Sequence, residues 1–246
     1  MAYLSEPVRV GDVLGDTFGF LRAQWRPLLL ISAPSLLAAV ALAVVQKSLG
    51  LQEKPELVFT SITGSLASSV SLITLAIAHL CFVGTLFFTL ERQRGHQTGV
   101  AEALRMGVRL FLPMLGVRFL VYFLSIMAAV LLYVPGLMVY TMLWVADAAY
   151  VAERPGIRAA LSRSRNLTRG SRWRVFLLML MVFVAAALAS GLQTAAQRIS
   201  EWAGPFTSVF AGMLWAILVP VLAATLYRHL KTAREGDEAA DIAAVF

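Results

Sequence analysis

ERPGIRAALSRSRNLTRGSRWR, residues 153–174, places seven arginines between two strongly apolar runs. Ile157, Ala160, Leu161, Ser164 and Leu167 recur at three- and four-residue steps, while Arg158, Arg165, Arg169 and Arg172 fall on the other side of the same helical wheel. This spacing predicts a short amphipathic helix lying on a membrane. Arginine-dense turns face the cytoplasm, so the stretch fixes the topology and separates the hairpins before it from the one after it. It leaves the activity open.

The composition outside this stretch agrees. Of 246 residues, 59% are hydrophobic and 14% charged, with mean hydropathy +0.76; a soluble domain carries about 25% charged residues. Lipid is therefore the expected solvent. The net charge of +7 sits between apolar runs and not on one polar face, which assigns it to topology and argues against nucleic-acid binding. Cys81 is the single cysteine, which excludes an intrachain disulfide and a cysteine-based metal site. Glu6, Asp12 and Asp16 interrupt the first 26 residues. With no small-residue cleavage signature there, the first apolar helix is expected to remain as an uncleaved anchor.

The apolar runs predict an all-α polytopic membrane protein. A membrane domain over 1–234 has six spans, about 27–46, 62–90, 112–134, 136–152, 173–197 and 206–230, and a cytoplasmic tail follows at 235–246. The spans pair into three hairpins. A charged amphipathic segment precedes each one, VLGDTFGFLRAQW, GVAEALRMGVRLF and the opening stretch in turn. Pro27 suits a first helical turn, Pro34 is expected to kink the first span, and Pro135–Gly136 reads as the turn between spans three and four. The chain is expected to fray beyond Arg234. Under this map 17 Lys and Arg lie on the side of the termini and three on the other, Lys47, Lys54 and Arg198. Both termini are therefore expected in the cytoplasm.

Arg118 and Asp147 stand out by cost alone, since one ion in hydrocarbon costs about 2.5–3.5 kcal/mol and needs a partner or water. Each lies six residues inside its span, at a similar depth of roughly 9 Å, and the two are expected to pair. A salt bridge holding the bundle and a water-lined contact for a substrate are both compatible with that pair. His79, alone in span two, reads as a hydrogen-bonded packing residue in preference to a metal ligand. Gln193 is a further polar candidate for an inward face. Arg158, Arg163, Arg165, Arg169 and Arg172 are candidates for anionic headgroups, at about 1 kcal/mol each. The chain contains no G-x-S-x-G, H-E-x-x-H, P-loop or dinucleotide fingerprint, and no cofactor or metal is expected.

Residues 153–174 also resemble the cytoplasmic segment of the glycerophosphodiester phosphodiesterase membrane-domain family and related bacterial six-span proteins. The matching positions are Glu153, Ala160, Leu161, Arg163, Ser164, Leu167, Thr168, Gly170 and Trp173. Gly11 to Leu29 and LYRHLK (Leu226 to Lys231) are similar to that family's ends. The resemblance implies a six-helix unit that handles or senses lipids, without the separate catalytic domain that some relatives carry. The expected function is a non-enzymatic module of the bacterial inner membrane, a lipid-associated scaffold or accessory. Its partners are expected to be anionic lipids, with a membrane protein or a second copy as further candidates. The competing expectation is a small transporter or channel using a polar cavity near Arg118 and Asp147.

Overall fold

A computed structural model of the chain describes residues 8–48, 62–199 and 203–243. The described residues form eight helices: α1 (Val10–Ser48), α2 (Ile62–Gln93), α3 (Val100–Leu131), α4 (Tyr133–Leu143), α5 (Ala146–Glu153), α6 (Ile157–Leu167), α7 (Arg172–Ile199) and α8 (Ala203–Ala243). Six helical stretches are long and apolar enough to cross a membrane, with α4 and α5 together forming the fourth. The chain is an all-α, multi-span membrane protein. Most of the stretch 47–60, between the first two predicted spans, lies outside the described residues.

Several boundaries differ from those the sequence suggests, for identifiable reasons. The kink in α1 falls at Gln24 (φ −119°, ψ 23°) and not at Pro34. Pro27 has no N–H to offer the preceding turn, so the helix breaks just before it and Pro27 sits in the first turn of the new segment. The second charged lead-in and the third span are one unbroken helix, α3. The reversal between α3 and α4 occurs at Leu132, which is extended (φ −159°, ψ 135°). Pro135 then lies in the first turn of α4, where a missing N–H is harmless, and Gly136 serves close packing: a Cβ there would meet Ala129. The predicted span 136–152 is two helices, interrupted at Trp144–Val145. The last helix runs on to Ala243.

α1, α2, α3 and α8 carry most of the core, through fully buried Leu28, Ile31, Leu86, Phe88, Met114, Leu222, Leu226 and Leu230. A smaller cluster of Val117, Val121, Leu143, Ala146 and Leu161 joins α3 to α4, α5 and α6. α7 is the outlying span; it exposes Phe183, Leu188 and Leu192, as expected of a face turned to lipid or to another protein.

Glycine fixes the crossing of α2 and α3. A Cβ on Gly107 would lie 2.7 Å from the Leu80 carbonyl oxygen, and one on Gly84 would lie 3.1 Å from that of Ala103. Small residues let helix backbones approach where apolar burial alone cannot drive association. The register 84/103, 80/107 continues to His79/Phe111, whose rings meet edge to face at 5.3 Å, and this brings the one mid-span histidine towards Arg118. Gly107→Ala should therefore destabilise the protein by about 1–3 kcal/mol, because the obstructing atom is backbone. Gly212→Ala, which meets nothing within 4 Å, should be neutral or slightly stabilising. Thermal unfolding of the two variants in detergent reads the difference.

Candidate functional site

Three helices bring polar groups to one point inside the bundle. Arg118 on α3 donates from Nε to Asp147 Oδ2 on α5 at 3.0 Å. One terminal nitrogen lies 3.3 Å from His79 Nδ1 on α2, and the guanidinium carbon sits 3.8 Å from the centroid of the Phe82 ring. An arginine has no acceptor, so a hydrogen bond across this contact runs from the guanidinium to a His79 Nδ1 that carries no proton. The other ring nitrogen, Nε2, is buried and has no hydrogen-bond partner. Arginine thus meets a carboxylate, a ring nitrogen and an aromatic face at once.

The helix break explains how Asp147 reaches this point. α5 starts at Ala146, so Asp147 lies in its first turn, where the free N–H groups and the helix dipole favour an anion. A small space of about 80 Å³ adjoins the pair, lined by Tyr122, Tyr140, Trp144 and, from α8, Val219 and Ala223. Tyr122 and Tyr140 stack with centroids 6.2 Å apart.

The break also strips carbonyls at the end of α4 of their helical partners, and α6 replaces one. Ser164 Oγ donates to the Met142 carbonyl at 2.8 Å. Thr168 Oγ1 lies 3.3 Å from the same oxygen and shares its proton with the Ser164 carbonyl at 3.0 Å. Both hydroxyl residues are fully buried. The sequence places Ser164 on the apolar face of α6, and a hydroxyl on such a face was the available signal.

A second polar cluster joins α5, α6 and α8. Glu153 Oε1 accepts from Tyr227 OH at 2.6 Å and from Arg163 Nε at 3.1 Å, with Lys231 Nζ at 3.9 Å. Glu235 Oε1 takes the other end of Arg163 at 3.3 Å and Lys231 at 3.5 Å. Partial burial opposes the Arg163 charge, but the Glu153 carboxylate outweighs it and raises the pKa, so the guanidinium stays charged. Just past the end of α2, Arg94 donates to the Ala152 carbonyl at 3.0 Å, capping the end of α5.

Of the sequence-predicted residues, Arg118, Asp147 and His79 meet, whereas Gln193 does not join them. It lines a separate apolar cavity of about 620 Å³ between α7 and α8. Among the headgroup candidates, Arg158, Arg165 and Arg169 are exposed, Arg172 is half-buried with Nε unpartnered, and Arg163 is taken up by Glu153 and Glu235. No three metal-binding side chains gather among the described residues. Neither protein-family models, nor curated proteins, nor solved structures yield a match to this chain.

Asp147→Asn should lose about 2.5–3.5 kcal/mol, because it leaves one unpaired ion in the bundle. Arg118→Leu combined with Asp147→Leu should lose less. Equal loss of folded protein in detergent would reject a paired role. Ser164→Ala with Thr168→Ala should cost about 1–3 kcal/mol by leaving the Met142 carbonyl without its donor; unchanged melting would mean that another group satisfies it.

Proposed function

We propose that this chain is a non-enzymatic, lipid-associated scaffold or accessory module of the bacterial inner membrane. In this reading three hairpins cross the bilayer, both termini face the cytoplasm, and the charged segments before the hairpins form a collar against anionic headgroups. One observation carries it: Arg118 is engaged from three directions by Asp147, His79 and Phe82, beside a space of only about 80 Å³. An intramembrane charge engaged by a carboxylate, an imidazole and an aromatic ring of its own protein suits a stabilising role better than a solute path. The transporter reading would need that space to continue to water.

The family resemblance belongs to the same proposal. Five residues that carry it have structural work in this chain: Glu153 and Arg163 pair, Ser164 and Thr168 serve the α4 end, and Gly170 takes a left-handed turn at φ 89°. A motif built for docking one interfacial helix onto a bundle fits a membrane unit without its own reaction. The exposed apolar face of α7 leaves room for a membrane-protein partner or a second copy.

Cysteine substitutions in a Cys81→Ala background test both the topology and the dryness of the pair. Ser162→Cys should react with a membrane-impermeant maleimide only after the cells are opened. Tyr140→Cys and Ala223→Cys should stay unlabelled from both sides. Labelling of Ser162→Cys in intact cells would invert the topology, and labelling at Tyr140 and Ala223 would move the assignment to transport.

A further inference from the structure

The two flanks of α6 are unlike each other. On one, Arg163 is bound by Glu153 and Glu235. On the other, Arg158, Ser162 and Arg165 recur at four and three residues, all exposed, and among the described residues no carboxylate pairs with Arg165. Beside this second flank lies a cavity of about 550 Å³, within the roughly 300–1,000 Å³ typical of ligand sites. Its walls are apolar: Leu124, Met127 and Ala128 from α3, Val139 and Leu143 from α4, and Leu161 from α6. Its polar side chains, Ser162 and Arg165, come from α6. The α3 and α4 walls run along the helices for about one turn, so the cavity is an apolar groove bordered by a single cation and a hydroxyl.

We propose that this groove holds one acyl chain of an anionic phospholipid, with its phosphate bound by Arg165 and Ser162. The charge is complementary, since an unpaired guanidinium beside an apolar slot matches a phosphate joined to a hydrocarbon chain. The site rests on the reading of α6 as an element of the headgroup collar, and narrows it to one residue and one groove. Arg158 shares the exposed flank but does not line the cavity, which makes it the charge-matched control.

Full-length protein in nanodiscs of phosphatidylcholine doped with phosphatidylglycerol, released into the gas phase, allows retained lipids to be counted by native mass spectrometry. Wild type should retain one phosphatidylglycerol in preference to phosphatidylcholine. Arg165→Ala should weaken that retention roughly five-fold, Arg158→Ala should leave it near wild type, and Leu124→Trp should displace it by filling the groove. Equal weakening by Arg165→Ala and Arg158→Ala, or full retention in both Arg165→Ala and Leu124→Trp, would overturn the groove site while leaving the collar in place. No preference for phosphatidylglycerol in wild type would overturn both. Arg165 is exposed, so its variant folds whether or not the tryptophan is tolerated.

Discussion

A helix interrupted inside a bilayer must find new partners for its backbone, and most of what is distinctive in this protein follows from that constraint. Lipid offers no hydrogen bonds, and an unsatisfied carbonyl there costs several kcal/mol. The interruption at Trp144–Val145 contains neither proline nor glycine, so the local sequence does not force it. It persists because both of its ends are provided for: Ser164 and Thr168 reach the Met142 carbonyl on one side, and Asp147 occupies the first turn of the helix on the other. The arginine-rich stretch is thus part of the membrane bundle and not only a charged connection between spans.

The same interruption brings acid to base. Arg118 on a continuous helix needs a counter-charge at its own depth, and the restart at Ala146 presents Asp147 there at 3.0 Å. His79 completes the contact only because glycine allows α2 to lie close against α3. Three separate features (a broken helix, a glycine crossing and a histidine ring) converge on one guanidinium. Remove the glycine crossing and the histidine would be withdrawn; heal the break and the carboxylate would rotate along a continuous helix. The pair is a consequence of backbone geometry before it is a matter of charge.

What the sequence made legible is what rests on periodicity and on the cost of charge in lipid. The six apolar stretches, the two faces of 157–167 and the pairing of Arg118 with Asp147 all belong to this class. Features that depend on tertiary substitution were not legible. The break at Trp144–Val145 leaves no local mark, and Pro135–Gly136 serves a helix start as readily as a turn, so the reversal at Leu132 was displaced by a few residues. Arg163 shows the same limit. Its partner Glu153 lies ten residues away across a turn built on left-handed Arg154 and Gly156, a spacing that no single helix would bring together. Gln193 shares only its polarity with the Arg118 group, and polarity carries no address.

The arginines of α6 accordingly divide by what faces them and not by where they fall in the sequence. Arg163 turns inward to carboxylates on α5 and α8 and so locks the helix onto the bundle. With that lock and the Ser164 hydroxyl in place, the helix cannot roll, and the flank carrying Arg158 and Arg165 is held outward. Orientation by the positive-inside rule needs only the number of such charges. A fixed roll angle does more, because it sets one particular cation beside one particular apolar groove. The ion pair on one flank is what gives the free guanidinium on the other a defined position.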